Sequence, residues 1–362
     1  MKEDMGSLLL TGLMVASCVA CIGSDESSHE DVDMPSADLS PEMRADLTDE
    51  GSWQWIDVPE SVCGNGEPTG VAVNPSSSSE PWVIFFQGGG ACWDVESCFV
   101  LKSAANIESG YTAARFQNEP DRSLYIFDRE DPENPFRDAN FLYIPYCTGD
   151  LHNGDRITTY NALGQARDVH HRGAHNMTKI LEALSANLRD AARIFMVGVS
   201  AGGYGAQFHY ENVSNAAPRA EVLLLADGAP LVNPVGGRLG QMDRAWDFHA
   251  PEGCEPCKIS FPAWLDYYDE TYPQRRFGLL TYDADQVIWL YFAYPLDGSF
   301  QAAIHALLQT HYQDGSPDSA AFVLPGGEHV MLHRGALQRD GVSLRQWISW
   351  WASGDPQWAN VP

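Results

Sequence analysis

The chain has 362 residues, enough for one large domain or two modest ones, and its 44 % apolar content is ordinary for a globular protein with a sizeable core. Its 49 acidic residues against 22 basic ones give a formal charge of -27, which argues against nucleic acid and anionic membrane surfaces as partners. The same charge makes a polyanionic substrate awkward unless the cleft is locally basic.

The apolar run from Leu8 to Ala20 is shorter than the ~20 residues that span a bilayer and reads as the core of a signal peptide over residues 1–23. It ends in V-A-S-C, Val15 to Cys18, similar to a bacterial lipobox, so Cys18 is a candidate lipid anchor. The segment before it is weak for this purpose, because Lys2 is followed by Glu3 and Asp4. The expectation is an exported bacterial protein, either a cell-envelope lipoprotein or secreted. Residues 24–51 are rich in acid, serine and proline and cannot bury enough apolar surface to order themselves, so they read as a disordered acidic tether. Residues 52–362 remain as the folded, catalytic domain. Within it Cys63, Cys92, Cys98, Cys147, Cys254 and Cys257 make an even set, as disulfides in an exported chain would, although fifteen pairings are open in principle. Cys254-Glu-Pro-Cys257 has no second C-x-x-C to complete a zinc site, so it is expected to close a local bridge.

From Trp53 onward short apolar runs alternate with amphipathic segments, the pattern of an α/β fold. Strands are predicted at 82–86, 141–144, 194–199, 222–226, 278–282 and 321–324. Met177, Ile180, Leu181, Leu184 and Leu188 recur at helical spacing, as do Ala302, Ile304, Leu307 and Leu308. A last helix, 344–351, carries Leu344, Trp347, Ile348 and Trp351 on one face, and those tryptophans read as core. The serine run 76–79 suits a loop tip.

The third of these strands, at 194–199, runs into G-V-S-A-G, Gly198 to Gly202, the signature of a nucleophile elbow in which a serine sits on a tight strand-to-helix turn. Ser200 is the candidate nucleophile. Such a serine needs a base, an orienting carboxylate and oxyanion donors, in the chain order Ser, Asp or Glu, His. Among the histidines beyond it, His209, His305 and His311 fall in helical pattern, whereas His329 follows a strand and the pair Gly326-Gly327, so it is the candidate base, with His333 next. Asp283, Asp285 and Asp227 all follow predicted strands, and residue chemistry leaves the three open. Upstream, Gln87-Gly-Gly-Gly-Ala-Cys92 follows the first predicted strand. The N–H groups of Gly89 and Gly90, with that of Ala201, are the candidate oxyanion donors; a phosphate loop would need a G-K-[ST] ending that is absent here. His171 and His175 stand four apart with His170 beside them, a spacing that suits a metal, but no third ligand is near in sequence. Trp289, Tyr291, Phe292 and Tyr294 are expected to pack in the core rather than line a cleft.

QGGGACW, Tyr146-Cys-Thr-Gly149, GVSAGGYGA, Asp227-Gly228, YDADQ and GGEH, in this order, resemble the motifs of the pectin acetylesterase and Notum family of carboxylesterases. The resemblance implies an α/β-hydrolase-like fold with a mostly parallel sheet, and ester hydrolysis without metal or cofactor. In that family the aspartate is followed three residues later by glutamine, which implies Asp283, with Gln286, as the acid and Asp227 beside the site. It also implies the disulfides Cys63–Cys147 and Cys92–Cys98, and a role for Arg172-Gly173 at the site's rim or a helix start. Many relatives carry tryptophan where this chain has Ala91; Trp93 is placed to compensate.

Together these readings describe an exported serine carboxylesterase that removes a short acyl group, acetyl above all, from a carbohydrate such as pectin. The alternatives are the same machinery acting on longer acyl chains, a non-catalytic glycan-binding surface lipoprotein, and a metal-dependent deacetylase. The oligomeric state and the true sugar are not written in the sequence.

Overall fold

The computed structural model describes residues 50–77, 81–162, 164–313, 318–334 and 336–361, all within one compact unit, Glu42–Pro362. The expected signal peptide, the anchor at Cys18 and all but the last two residues of the tether lie outside the described residues. The chain enters the sheet through β1 (Gln54–Val62) and β2 (Pro68–Asn74), then lays down β3 (Trp82–Phe86) and β4 (Asn140–Ile144). A separate antiparallel hairpin, β5 (Arg156–Ala162) and β6 (Gln165–His171), precedes β7 (Arg193–Val199), β8 (Glu221–Asp227), β9 (Arg276–Tyr282) and β10 (Ser319–Leu324). In space the sheet runs β1-β2-β4-β3-β7-β8-β9-β10. From β4 onward every neighbouring pair is parallel; β1 and β2 add an antiparallel edge.

The α-helices are α1 (Ala113–Phe116), α2 (Gly173–Leu188), α3 (Ala201–Phe208), α4 (Tyr210–Ala216), α5 (Arg238–Trp246), α6 (Pro262–Thr271), α7 (Gln286–Tyr291), α8 (Ser299–Leu308) and α9 (Leu344–Ser353). They clothe both faces of the sheet, and the strand alternation divides the core accordingly. Ile84 and Phe86, Ile194 and Met196, and Leu224 and Ala226 point to the face covered by α2 through Met177, Ile180 and Leu184. Val83 and Phe85, Phe195 and Val197, and Leu223 and Leu225 point to the other, where α9 seats Trp347 and Trp351. Both tryptophans are fully buried, as expected of core residues.

All six predicted strands and all three predicted helices are present. β1, β2 and the β5–β6 hairpin are not among the predicted strands: β1 is a half-exposed edge strand interrupted by Pro59, the hairpin is largely polar and exposed, and β2, though buried, has an apolar run of only three residues, Val71 to Val73. The consequence for function is positional. β3, β7, β8, β9 and β10 are neighbours, and being parallel they end at one edge of the sheet. There they deliver, in spatial order, the glycine loop after Phe86, Ser200, Asp227, the 283–285 acid loop and the loop that carries His329. In open α/β sheets this carboxyl edge is where ligands bind.

Candidate active site

Ser200 occupies the turn between β7 and α3 with φ 54° and ψ -123°, a left-handed backbone that costs a non-glycine residue strain and recurs at functional sites. Its neighbours make the turn feasible. A Cβ on Gly198 would run into the Gly202 backbone, and one on Gly202 into the Phe86 carbonyl, so both glycines of the motif are required by close backbone approach. The Ser200 N–H donates to the Asp227 carbonyl at 2.7 Å.

His329 is the histidine that meets this serine. Its Nε2 lies 2.8 Å from Ser200 Oγ and its Nδ1 lies 2.7 Å from Asp285 Oδ2. A carboxylate only accepts, so the Nδ1 proton faces Asp285 and Nε2 accepts from the serine hydroxyl. Asp283, expected to orient the imidazole, does not reach it. Its Oδ1 accepts from the Gly326 N–H at 3.0 Å and its Oδ2 from Gln301 Nε2 at 2.9 Å. The physical reason is the turn after β9. Asp283 still follows the strand, its N–H bonded to Leu324 O, whereas Asp285 has swung round to cap α7. Asp285 Oδ1 accepts from the N–H groups of Val287 and Ile288, and the fully buried carboxylate is left with Oδ2 for the histidine. The Asp283 and Gln286 pair instead supports the histidine loop: Gln286 N–H donates to Gly327 O at 3.2 Å, and Ala284 N–H to Gly326 O at 3.1 Å.

His333, the second choice of base, turns away and meets Asp121 at 2.7 Å, a bond that raises the pKa of its imidazole. Asp227 is fully buried and its carboxylate accepts from the N–H groups of Met331 and Leu332, so it is beside the serine and histidine without touching the imidazole nitrogens. Burial pushes it up to about 6.

The glycine loop lies against the elbow. A Cβ on Gly88 would come within 3.1 Å of Ser200 Cβ. Gly89 (φ 157°) and Gly90 (φ 73°) carry the loop past Tyr146 and Ser103. The short pairing of this loop with residue 104 uses the Gly89 carbonyl and the Ala91 N–H, and not the Gly90 N–H. Ala201 opens α3, where helix N–H groups lack intrahelical acceptors. Next to the loop Ala91 is buried, and Trp93 packs beside Tyr291 and Trp246 under the Arg238 guanidinium. Phe292 and Tyr294 are buried, and Trp289 and Tyr291 partly so.

One support was invisible in sequence. His152 Nε2 bonds the Gln87 carbonyl at 2.9 Å, and His209 Nε2 bonds the His152 carbonyl at 2.7 Å. Burial lowers His152 to about 4 and His209 to about 3, so both are neutral near pH 7 and donate to fixed carbonyls. This pins the residue that precedes the glycines. Only the tertiary contact reveals it, because His152 and Gln87 stand 65 residues apart in sequence.

The histidine pair expected to suit a metal is split: His171 Nδ1 lies by Thr148 O, and His175 Nε2 by Glu60 O. The Cys92, Cys98 and His171 atoms do cluster, but the two cysteines are joined to each other. Cys63–Cys147 and Cys254–Cys257 are also formed. Gly173 starts α2, with its N–H on buried Asp150, and Arg172 pairs with Asp155.

A mostly parallel sheet that brings a serine elbow, an acid and a histidine to one edge defines an α/β-hydrolase-like protein. The comparisons narrow this. The family model for pectinacetylesterase matches residues 54–236, and the chain belongs to that family. It is 28 % identical over 148 residues to a palmitoleoyl-protein carboxylesterase NOTUM of Schmidtea mediterranea (40 % of this chain, 26 % of that protein) and 27 % over 173 residues to the Homo sapiens protein of that name (46 % and 33 %). Pectin acetylesterase 4 of Arabidopsis thaliana is 26 % identical over 203 residues, 51 % of this chain and 48 % of that one. The alignments thus span between a quarter and a half of these relatives. The solved structure of the Wnt deacylase Notum from Drosophila superposes with a TM-score of 0.60 at 18 % identity, covering 84 % of this chain and 93 % of that one, which shows the shared fold. The family match contains Ser200 and the glycine loop, while Asp285 and His329 lie beyond it.

Proposed function

We propose that the protein is an exported serine carboxylesterase that removes a short acyl group from a carbohydrate. The observation that carries this reading is the unbroken chain from Ser200 Oγ through His329 to Asp285. Ser200 attacks the ester carbonyl while His329 Nε2 takes its proton, and Asp285 holds the imidazole and balances its charge. The tetrahedral oxyanion is received by the N–H groups of Gly89, Gly90 and Ala201. The proton returns to the leaving sugar oxygen, the alcohol departs, and water, activated by the same histidine, releases the acid and restores Ser200. No metal or cofactor enters these steps.

The pectinacetylesterase family model and the likeness to pectin acetylesterase 4 support a short acyl group over the longer chain named for the palmitoleoyl-protein carboxylesterases. The disulfides support an oxidising compartment. In this reading residues 1–23 export the chain, Cys18 anchors it, residues 24–51 tether it and residues 52–362 catalyse. Ser200→Ala should lower turnover of p-nitrophenyl acetate about 10³-fold or more and abolish labelling by a fluorophosphonate, and chelator should leave the wild type active. Full activity in that variant would overturn the assignment. An acyl-length series on p-nitrophenyl esters and a panel of acetylated polysaccharides then define the substrate.

A further inference from the structure

We propose that the dipeptide Asp227-Gly228, at the end of β8, is the joint that sets the serine-to-histidine distance, with Asp227 as a positioning residue; the inference rests on the serine-esterase reading. Three of its groups meet three different catalytic elements. The Asp227 carbonyl accepts the Ser200 N–H at 2.7 Å, which fixes the elbow. The Asp227 carboxylate accepts the Met331 N–H at 2.9 and 3.0 Å and the Leu332 N–H at 2.7 Å, which fixes the loop just past His329. The Gly228 N–H donates to Leu280 O at 2.8 Å, which ties the joint to β9, whose far end leads to Asp285.

Gly228 adds a steric condition. It has φ 64°, and a Cβ there would lie 3.1 Å from His329 Cε1 and 3.2 Å from Nδ1. The absent side chain is therefore the space the imidazole uses. A fully buried carboxylate is costly unless its acceptors are filled, and here loop N–H groups fill them. The bonds orient backbone close to the reacting atoms, where a displacement of about 1 Å can cost ~10²-fold in rate. The charged or titratable groups facing Asp227 are His329, His333, Tyr125 and Tyr282.

The test separates this joint from general stability and from the esterase reading. Active sites of the wild type, Asp227→Asn and Gly228→Ala are first titrated with a fluorophosphonate, and kcat and KM for p-nitrophenyl acetate are then expressed per titrated site. The joint predicts a fall in kcat of about 10- to 100-fold per titrated site with KM little changed, and a shifted or lost low-field Nδ1–H proton resonance of His329. If the wild type labels but both variants turn over within about twofold of it per site, the joint is overturned while the esterase stands. If the wild type neither labels nor turns over, the esterase reading fails and the joint with it. Should the variants not fold, hydrogen exchange on the wild type decides: Met331 and Leu332 amides as protected as core strands support the joint, and exchange at open-loop rates overturns it.

Discussion

Asp283 and Asp285 differ by two positions, and residue chemistry alone could not rank them. Resemblance favoured Asp283 through its spacing from Gln286; geometry favours Asp285, because the cap of α7 turns it under His329. The two variants discriminate sharply. Asp285→Asn should lower kcat about 10³- to 10⁴-fold, since an amide in that place stabilises the wrong imidazole tautomer. Asp283→Asn, which loses only support for the Gly326 turn, should fall by less than about tenfold, measured on the same ester. The reverse ranking would restore Asp283. Ser200 and His329 needed no such arbitration. Each stands at a locally marked place, a G-x-S-x-G turn and a glycine pair after a strand.

At the scale of elements, the parallel strands were legible because burial on both faces demands continuous apolar runs. The exposed pieces, β1 and the β5–β6 hairpin, carried no such run. The bridge Cys63–Cys147 joins the turn after β1 to the segment after β4, across 84 residues. Replacing both cysteines by alanine should lower the unfolding free energy by about 2–5 kcal/mol, read from urea denaturation of both proteins. Trp351 on α9 is fully buried against Phe136 and Phe195. Trp351→Ala should cost about 3–5 kcal/mol through lost contacts and a cavity, and an unchanged midpoint would show that α9 does not seal that face.

For the molecule as a whole, buried titrating groups oppose one another. Burial lowers His152 and His171 from 6.5 to about 4 and His209 to about 3. Their stabilising contribution is complete above pH 6.5 and drains as pH falls through the folded values, because the unfolded chain takes up protons that the fold refuses. Burial raises Asp150 and Asp227 from 3.8 to about 6. Their contribution is complete below pH 3.8 and is lost as pH rises through about 6. Near pH 5 three histidine protons on the unfolded side less two aspartate protons on the folded side leave about one, and buried His311, also lowered, adds in the same direction, so stability should rise with pH by at least about 1.4 kcal/mol per unit. Unfolding free energies at pH 4.5, 5.0 and 5.5 check this, and a falling trend would contradict the burial of the histidines.

The sequence by itself determined the α/β class, the elbow at Ser200, the glycine loop, the histidine after β10 and the even cysteine set, because each is written in a local pattern of period, turn residue or spacing. Only the tertiary structure decided which aspartate meets the histidine, that His152 bonds the residue before the glycine loop and that Asp227 hydrogen-bonds both the Ser200 turn and the loop after His329. Those outcomes depend on how far a chain turns after a strand ends and on which distant N–H groups a buried carboxylate can fill, and neither is a property of neighbours in sequence.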